Sequence, residues 1–146
     1  MKRILLDTNI LLDVVLARKP HAEAVEALWE MIEEHNAEGR LAAHAVTTFY
    51  YLVRKQRDHV RAKHAVHSLL QVFKVATVDG PVIDEALQMP GSDFEDSVTA
   101  AAAHRCGCAF IVTRDPRGFR ASPVEAVTPQ MAIGVLRAAR RPRRRP

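Results

Sequence analysis

The chain has 146 residues, 48% hydrophobic and 26% charged, the balance of one soluble globular domain with a core of several elements. No apolar run approaches the ~18 residues of a membrane span, Asp7 interrupts the first apolar run too early for a signal peptide, and two cysteines cannot build a disulfide framework, so a reducing, cytoplasmic setting is expected. Six arginines (Arg137, Arg140, Arg141, Arg143, Arg144, Arg145) fall in the last ten residues, and removing them from the net charge of +4 leaves −2 for residues 1–136. The basicity therefore belongs to a tail, and a uniformly basic binding domain is excluded.

Arg3–Leu6 is expected to be a strand, stopped by Asp7-Thr8-Asn9, whose short polar side chains bond nearby backbone in turns and caps. Ile10–Ala17 predicts a helix. His21–Glu38 predicts an amphipathic helix with Val25, Leu28, Trp29 and Ile32 on one face, ending near Gly39. Leu41–His44 is expected as a second strand, followed by helices over Val46–Lys55 and His59–Leu70, and Lys74–Val78 as a third. Val82–Gln88 predicts a short helix. Ser92 is expected to open a helix through an alanine-rich stretch to Arg105, with Ser92 and Glu95 forming a capping box. Ala109–Thr113 is the clearest buried strand. Val124–Val127 and Pro129–Ala138 close the series as strand and helix. Strands alternating with helices imply an α/β fold, a three-layer sandwich around a central parallel sheet of four to five strands. Residues 1–136 form one domain in this reading, and residues 137–146 a basic, disordered tail.

In an open parallel sheet, ligands bind beyond the carboxyl ends of the strands. Asp7 follows the first strand and Asp115 the Ala109–Thr113 strand. Asp93 and Asp96, three apart, share a face of the helix leading into that strand. Converging carboxylates repel unless a cation sits among them, and hard oxygen donors suit Mg²⁺ or Mn²⁺. Such an ion activates water and stabilises a phosphoryl transition state, so phosphodiester hydrolysis is the natural inference. Asp7 and Asp96 are the expected direct ligands, with Asp93 and Asp115 binding directly or through water. Thr8 or Asn9 would orient Asp7 or a phosphate, and Thr113 would orient Asp115. Arg114, Arg117 and Arg120 flank Asp115, where cations would meet phosphates.

Leu5-Leu6-Asp7-Thr8-Asn9-Ile10-Leu11-Leu12-Asp13 resembles the opening motif of PIN-domain ribonucleases. Asp93-Phe94-Glu95-Asp96-Ser97, the alanine-rich helix, Gly107, then Phe110-Ile111-Val112-Thr113-Arg114-Asp115 and Phe119 resemble their closing half. The resemblance implies a small Rossmann-like domain, often dimeric, that cleaves RNA with Mg²⁺ or Mn²⁺. At this size it implies a VapC-like toxin neutralised by a small antitoxin. The chain departs from the pattern at Thr48, where relatives carry an acidic residue on the helix after the second strand. A hydroxyl there is a weaker ligand and holds at most a metal-bound water. That leaves a second reading, a non-catalytic or weakly active RNA-binding or protein-interaction module on the same fold.

Plainer roles stand beside these. Asp93 in a first helical turn gains as much from the helix dipole as from a metal, and Glu95 is read as a cap. Asp13 is read as solvated, His44 as a satisfied structural histidine at a strand end, and Cys106 and Cys108 as two buried thiols. His59, His64 and His67 make a solvated face, while Phe49, Tyr50 and Tyr51 belong to the core or a dimer interface.

Overall fold

A computed structural model describes residues 1–91 and 93–140. Five strands, β1 (Arg3–Leu6), β2 (Glu38–Ala42), β3 (Lys74–Ala76), β4 (Phe110–Val112) and β5 (Ala126–Val127), lie in the order β3-β2-β1-β4-β5. Every pairing is parallel. The crossovers are helical, as parallel neighbours require: α1 (Thr8–Val15), α2 (Ala22–Glu33), α3 (Ala43–Gln56), α4 (His59–Val72), α5 (Gly80–Gln88) and α6 (Phe94–Arg105), with α7 (Pro129–Arg140) last. The expected α/β sandwich with a central parallel sheet is the fold.

The period of two along each strand makes the three layers. Ile4, Leu6, Leu41, Phe110 and Val112 face one core, with Ile10, Leu11, Leu28, Phe49, Leu69 and Leu136 from the helices on that side. Leu5, Ala42 and Ile111 face the other, against Val82 and Ala86 of α5 and Val98 and Ala100–Ala103 of α6. Each fully buried large aliphatic side chain contributes about 1.5–3 kcal/mol. The alanines of α6 present little bulk, so this helix packs closely on the sheet.

Several boundaries differ from expectation. The helix α2 stops at Glu33, five residues before the predicted end, because His35 adopts a left-handed φ of 60° that no helix continues through. Glu38 instead starts β2: its N–H donates to the Lys2 carbonyl at 2.8 Å, and its carboxylate meets Arg40 at 2.5 Å, Arg3 at 3.5 Å and Lys74 at 3.7 Å. Residue 43 therefore already belongs to α3, so His44 is helical rather than at a strand end. A short 3-10 helix, Pro116–Phe119, adds to the expected elements. The last helix runs to Arg140, past the expected domain boundary at 136. Residues 141–146 of the expected tail lie outside the described residues, as does Ser92.

Gly39 sits where β2 passes under Phe73, whose ring packs edge-on against Trp29 at 4.9 Å. A Cβ at this position would collide with the Phe73 ring and stand 3.2 Å from the Ile32 Cδ1. Gly39→Ala should cost about 1–3 kcal/mol in urea unfolding, and a second change, Phe73→Leu, should recover part of it. An unchanged midpoint for Gly39→Ala would contradict this packing.

Candidate active site

The register Leu6↔Val112 ends β1 and β4 at the same level, so the residues that follow them are neighbours. Asp7 is the N-cap of α1. It has extended backbone, and its Oδ1 accepts from the Thr8 N–H at 2.8 Å, the geometry that satisfies a free helix N–H. Its Oδ2 accepts from the Thr113 hydroxyl at 3.2 Å. The same hydroxyl accepts from the Asp115 N–H at 3.3 Å. Thr113 thus ties Asp7 to the start of the Asp115 loop, acting on the backbone of Asp115 rather than on its carboxylate. Burial raises the Asp7 pKa above the ordinary value; the Thr8 and Thr113 hydrogen bonds offset part of this, Glu95 adds to it and His44 opposes it.

Asp93 caps α6: its Oδ1 accepts from the Asp96 N–H at 3.1 Å. The charge of Glu95 acts on Asp7, Asp96 and His44. Asp96 itself is half-buried. Burial first, and then the charges of Asp93, Asp7, Glu95 and Asp115, push its carboxyl up to about 6. Gly118 stands so near that a Cβ there would lie 3.0 Å from Asp96 Oδ2. Asp115 caps the 3-10 helix and is exposed, accepting from the Arg117 N–H and Nε, each at 3.3 Å. A cavity of about 400 Å³ opens here, with Asp93 and Asp96 among its walls and Arg117 and Arg120 also lining it.

Two residues take a place here that their local sequence context does not suggest. His44 lies one helical turn before Thr48. Its Nε2 is 3.3 Å from the Thr99 hydroxyl, while its Nδ1 is buried without a partner, so it is not a satisfied structural histidine. Burial lowers its pKa, against the pull of Glu95 and Asp7. Glu95 is the other. The signal available for it was its place between Asp93 and Asp96, which the capping motif masked. Thr48 donates its hydroxyl to the His44 carbonyl at 3.2 Å, a bond back into its own helix. Asn9 is exposed in the first turn of α1, and the Thr8 residue is buried.

Asp13 corrects the expectation of a solvated residue: it is 0% exposed. Its carboxylate pairs with Arg114 Nε at 3.2 Å and more distantly with Arg18 Nη1 at 3.9 Å. Arg114, expected to meet substrate, is engaged with this buried carboxylate and fixes the residue between Thr113 and Asp115 to α1.

Two outcomes follow. Asp13→Asn leaves Arg114 without its counter-charge and should destabilise the fold by about 1–3 kcal/mol in urea unfolding, since Arg114 keeps partial access to water; a change within error would show the pair is not structural. Asp96 works in the opposite direction. The native carboxyl holds its proton up to about pH 6, against an ordinary value of 3.8. The native state therefore binds more protons in that interval, and stability falls as pH rises through it. Asp96→Asn should raise Tm at pH 7 by roughly a few degrees and flatten the dependence between pH 4 and 6. A lower Tm for Asp96→Asn would contradict the electrostatic account.

The PIN domain family model matches residues 3–117. A comparison with curated proteins finds no match in sequence. Among solved structures, the chain is similar to VapBC2 from Rickettsia felis bound to a DNA fragment from their promoter, with 13% identity and a TM-score of 0.69 over 86% of this chain and 98% of that one. It is similar to FitAB bound to an IR36 DNA fragment, with 25% identity and a TM-score of 0.67 over 86% and 94%. It is also similar to the sarcin-ricin loop cleaving toxin VapC20 from Mycobacterium tuberculosis, with 16% identity and a TM-score of 0.59 over 74% and 86%. With most of its length matched and the same parallel sheet underneath, the chain belongs to the PIN-domain family.

Proposed function

We propose that the protein is a metal-dependent endoribonuclease that hydrolyses RNA phosphodiester bonds, and that it is the toxin of a type II toxin–antitoxin pair. The observation that carries this reading is the acidic centre at the carboxyl edge of a PIN-domain sheet, where burial and then four neighbouring carboxylates push Asp96 up to about 6. Like charges held together favour a proton or a cation among them. A donor set of oxygens without sulfur suits Mg²⁺ or Mn²⁺, so the residues fit such an ion.

Asp7 and Asp96 would hold it, with Asp93 and Asp115 beside them. Among the described residues no three His, Cys, Asp or Glu side chains are gathered closely enough to hold an ion as they stand. Holding an ion would require Asp93 and Asp115, both exposed, to leave their capping bonds. When bound, a divalent ion lowers the pKa of water and stabilises charge on a phosphoryl group. Thr8 and Thr113 keep Asp7 oriented, and Asn9 offers an exposed amide to a phosphate. Glu95 supplies the negative charge that Thr48 does not. Arg117 and Arg120 line the cavity shared with Asp96 and neutralise the RNA backbone. Arg114 acts through its hold on Asp13, positioning the segment that carries Asp115.

The likeness to VapBC2 and FitAB supports a small antitoxin as partner, and the likeness to the sarcin-ricin loop cleaving toxin of Mycobacterium tuberculosis supports RNA as substrate. A homodimer and a cytoplasmic setting belong to the same reading; no described helix is long and apolar enough to cross a membrane. One specific observation favours the second reading, a non-catalytic RNA-binding or protein-interaction module: the Thr48 hydroxyl is spent on the His44 carbonyl, so α3 offers no carboxylate at that position.

Purified protein should cut structured RNA with Mg²⁺ or Mn²⁺ and stop on chelation. Asp7→Asn and Asp96→Asn should each lower the rate roughly 100-fold or more. RNA binding without cleavage, indifferent to chelator, would establish the non-catalytic module instead. Full activity in both variants would show that the site lies elsewhere.

A further inference from the structure

The amino edge of the sheet carries a second cluster of reactive groups that the nuclease reading does not use. Cys106 is the C-cap of α6, its N–H bonded to the Ala102 carbonyl. Gly107 follows with φ +74°, a left-handed conformation that glycine adopts without strain. Cys108 then turns back, its N–H donating to the Ala103 carbonyl at 2.9 Å. This tight reversal sets the two sulfurs 3.1 Å apart. Arg3 donates to the Cys106 carbonyl. Cys108 is buried, but Cys106 is not, which corrects the expectation of two buried thiols. Cys106 lines a surface cavity of about 360 Å³ with Arg40, Thr77, Asp79 and Arg105.

We propose that Cys106 and Cys108 form a redox-active dithiol that undergoes thiol–disulfide exchange with low-molecular-weight disulfides, Cys106 attacking and Cys108 resolving. In the first step the Cys106 thiolate bonds to one sulfur of a disulfide RSSR, the S–S bond breaks, and RS⁻ leaves and takes a proton from solvent. In the second, Cys108 loses its proton to solvent and attacks the Cys106 sulfur, releasing the second RS⁻, which is protonated in turn. The balance is two protein thiols and RSSR giving one Cys106–Cys108 disulfide and two RSH. Both sulfurs start about 1 Å beyond bonding distance, so little rearrangement is needed.

The division of roles follows from the surroundings. The hydrogen bond between the two sulfurs, in which either thiol can donate, and the positive charge of the Arg40 and Arg3 guanidiniums lower the Cys106 thiol to about 6 despite partial burial. Cys108 is pushed up, by that same hydrogen bond and by burial. The thiolate is the attacking species, and it is the more exposed of the pair. With two sulfurs only, the site does not complete the four ligands of a structural zinc centre.

The magnitude is set by two opposing effects. At pH 6 about half of Cys106 is thiolate, against roughly 0.3% for an ordinary cysteine of pKa ~8.5, a gain of about 150-fold. The lower basicity of the thiolate gives back roughly tenfold. The folded chain should therefore react with oxidised glutathione at pH 6 about tenfold faster than the same chain in denaturant. The product should be a monomer that has lost two hydrogen atoms and both free thiols, restored by dithiothreitol. Cys108→Ser should stop at a stable mixed disulfide on Cys106, and Cys106→Ser should react at least tenfold more slowly. Thiols that stay free in the folded chain, reaction no faster than in denaturant, a disulfide-linked dimer, or equal reactivity of the two single variants would each overturn the proposal. The readout counts thiols, so it stands or falls independently of RNA cleavage.

Discussion

Everything at the carboxyl edge depends on one alignment, the parallel register that sets Leu6 beside Val112. Because the two strands run the same way and end at the same level, the residues after each emerge together. Asp7 and Thr113, 106 positions apart, come within 3.2 Å. The Thr113 hydroxyl then receives the Asp115 N–H, and the Asp13–Arg114 pair fastens the residue between them. Slipping that register by one residue would turn Thr113 to the opposite face and break the chain of contacts.

The same alignment stores an electrostatic conflict. A folded chain gains nothing by crowding Asp7, Asp93, Glu95, Asp96 and Asp115 together, and Asp96 responds by holding its proton up to about 6. Proteins carry such costs where a site needs them, offset by packing elsewhere. Here the offset is the double core, in particular the close seating of alanine-rich α6 against Leu5 and Ile111. The helix that suffers the repulsion is itself buried from Ser97 to Ala103.

An all-parallel sheet also has two chemically different edges, since every strand enters at one and leaves at the other. Arg3 and Asp7 bracket β1 and belong to opposite edges. At the amino edge Arg3, Arg40 and Lys74 surround Glu38 and hold its carboxyl below the ordinary value against the cost of burial, and the two thiols lie beside them. The crowded carboxylates and the two thiols thus sit at opposite edges of one small sheet.

The alternation of strands and helices, the parallel sheet, and the placement of Asp7 and Asp115 after strands are all legible in the order of the amino acids. These depend on periodicity and on residues within a few positions of one another, which a single chain displays directly. Local signals also misled: polar residues after Glu33 read as more helix, and His35 ends it. The burial of Asp13, the approach of Arg114 to it, the unpartnered nitrogen of His44 beside Asp7 and Glu95, and the partial exposure of Cys106 against the burial of Cys108 arise from the folded packing alone. Each of these is a relation between groups far apart along the chain. Their energies vary with distances and access to water that arise only once the sheet has paired and the helices have closed over it.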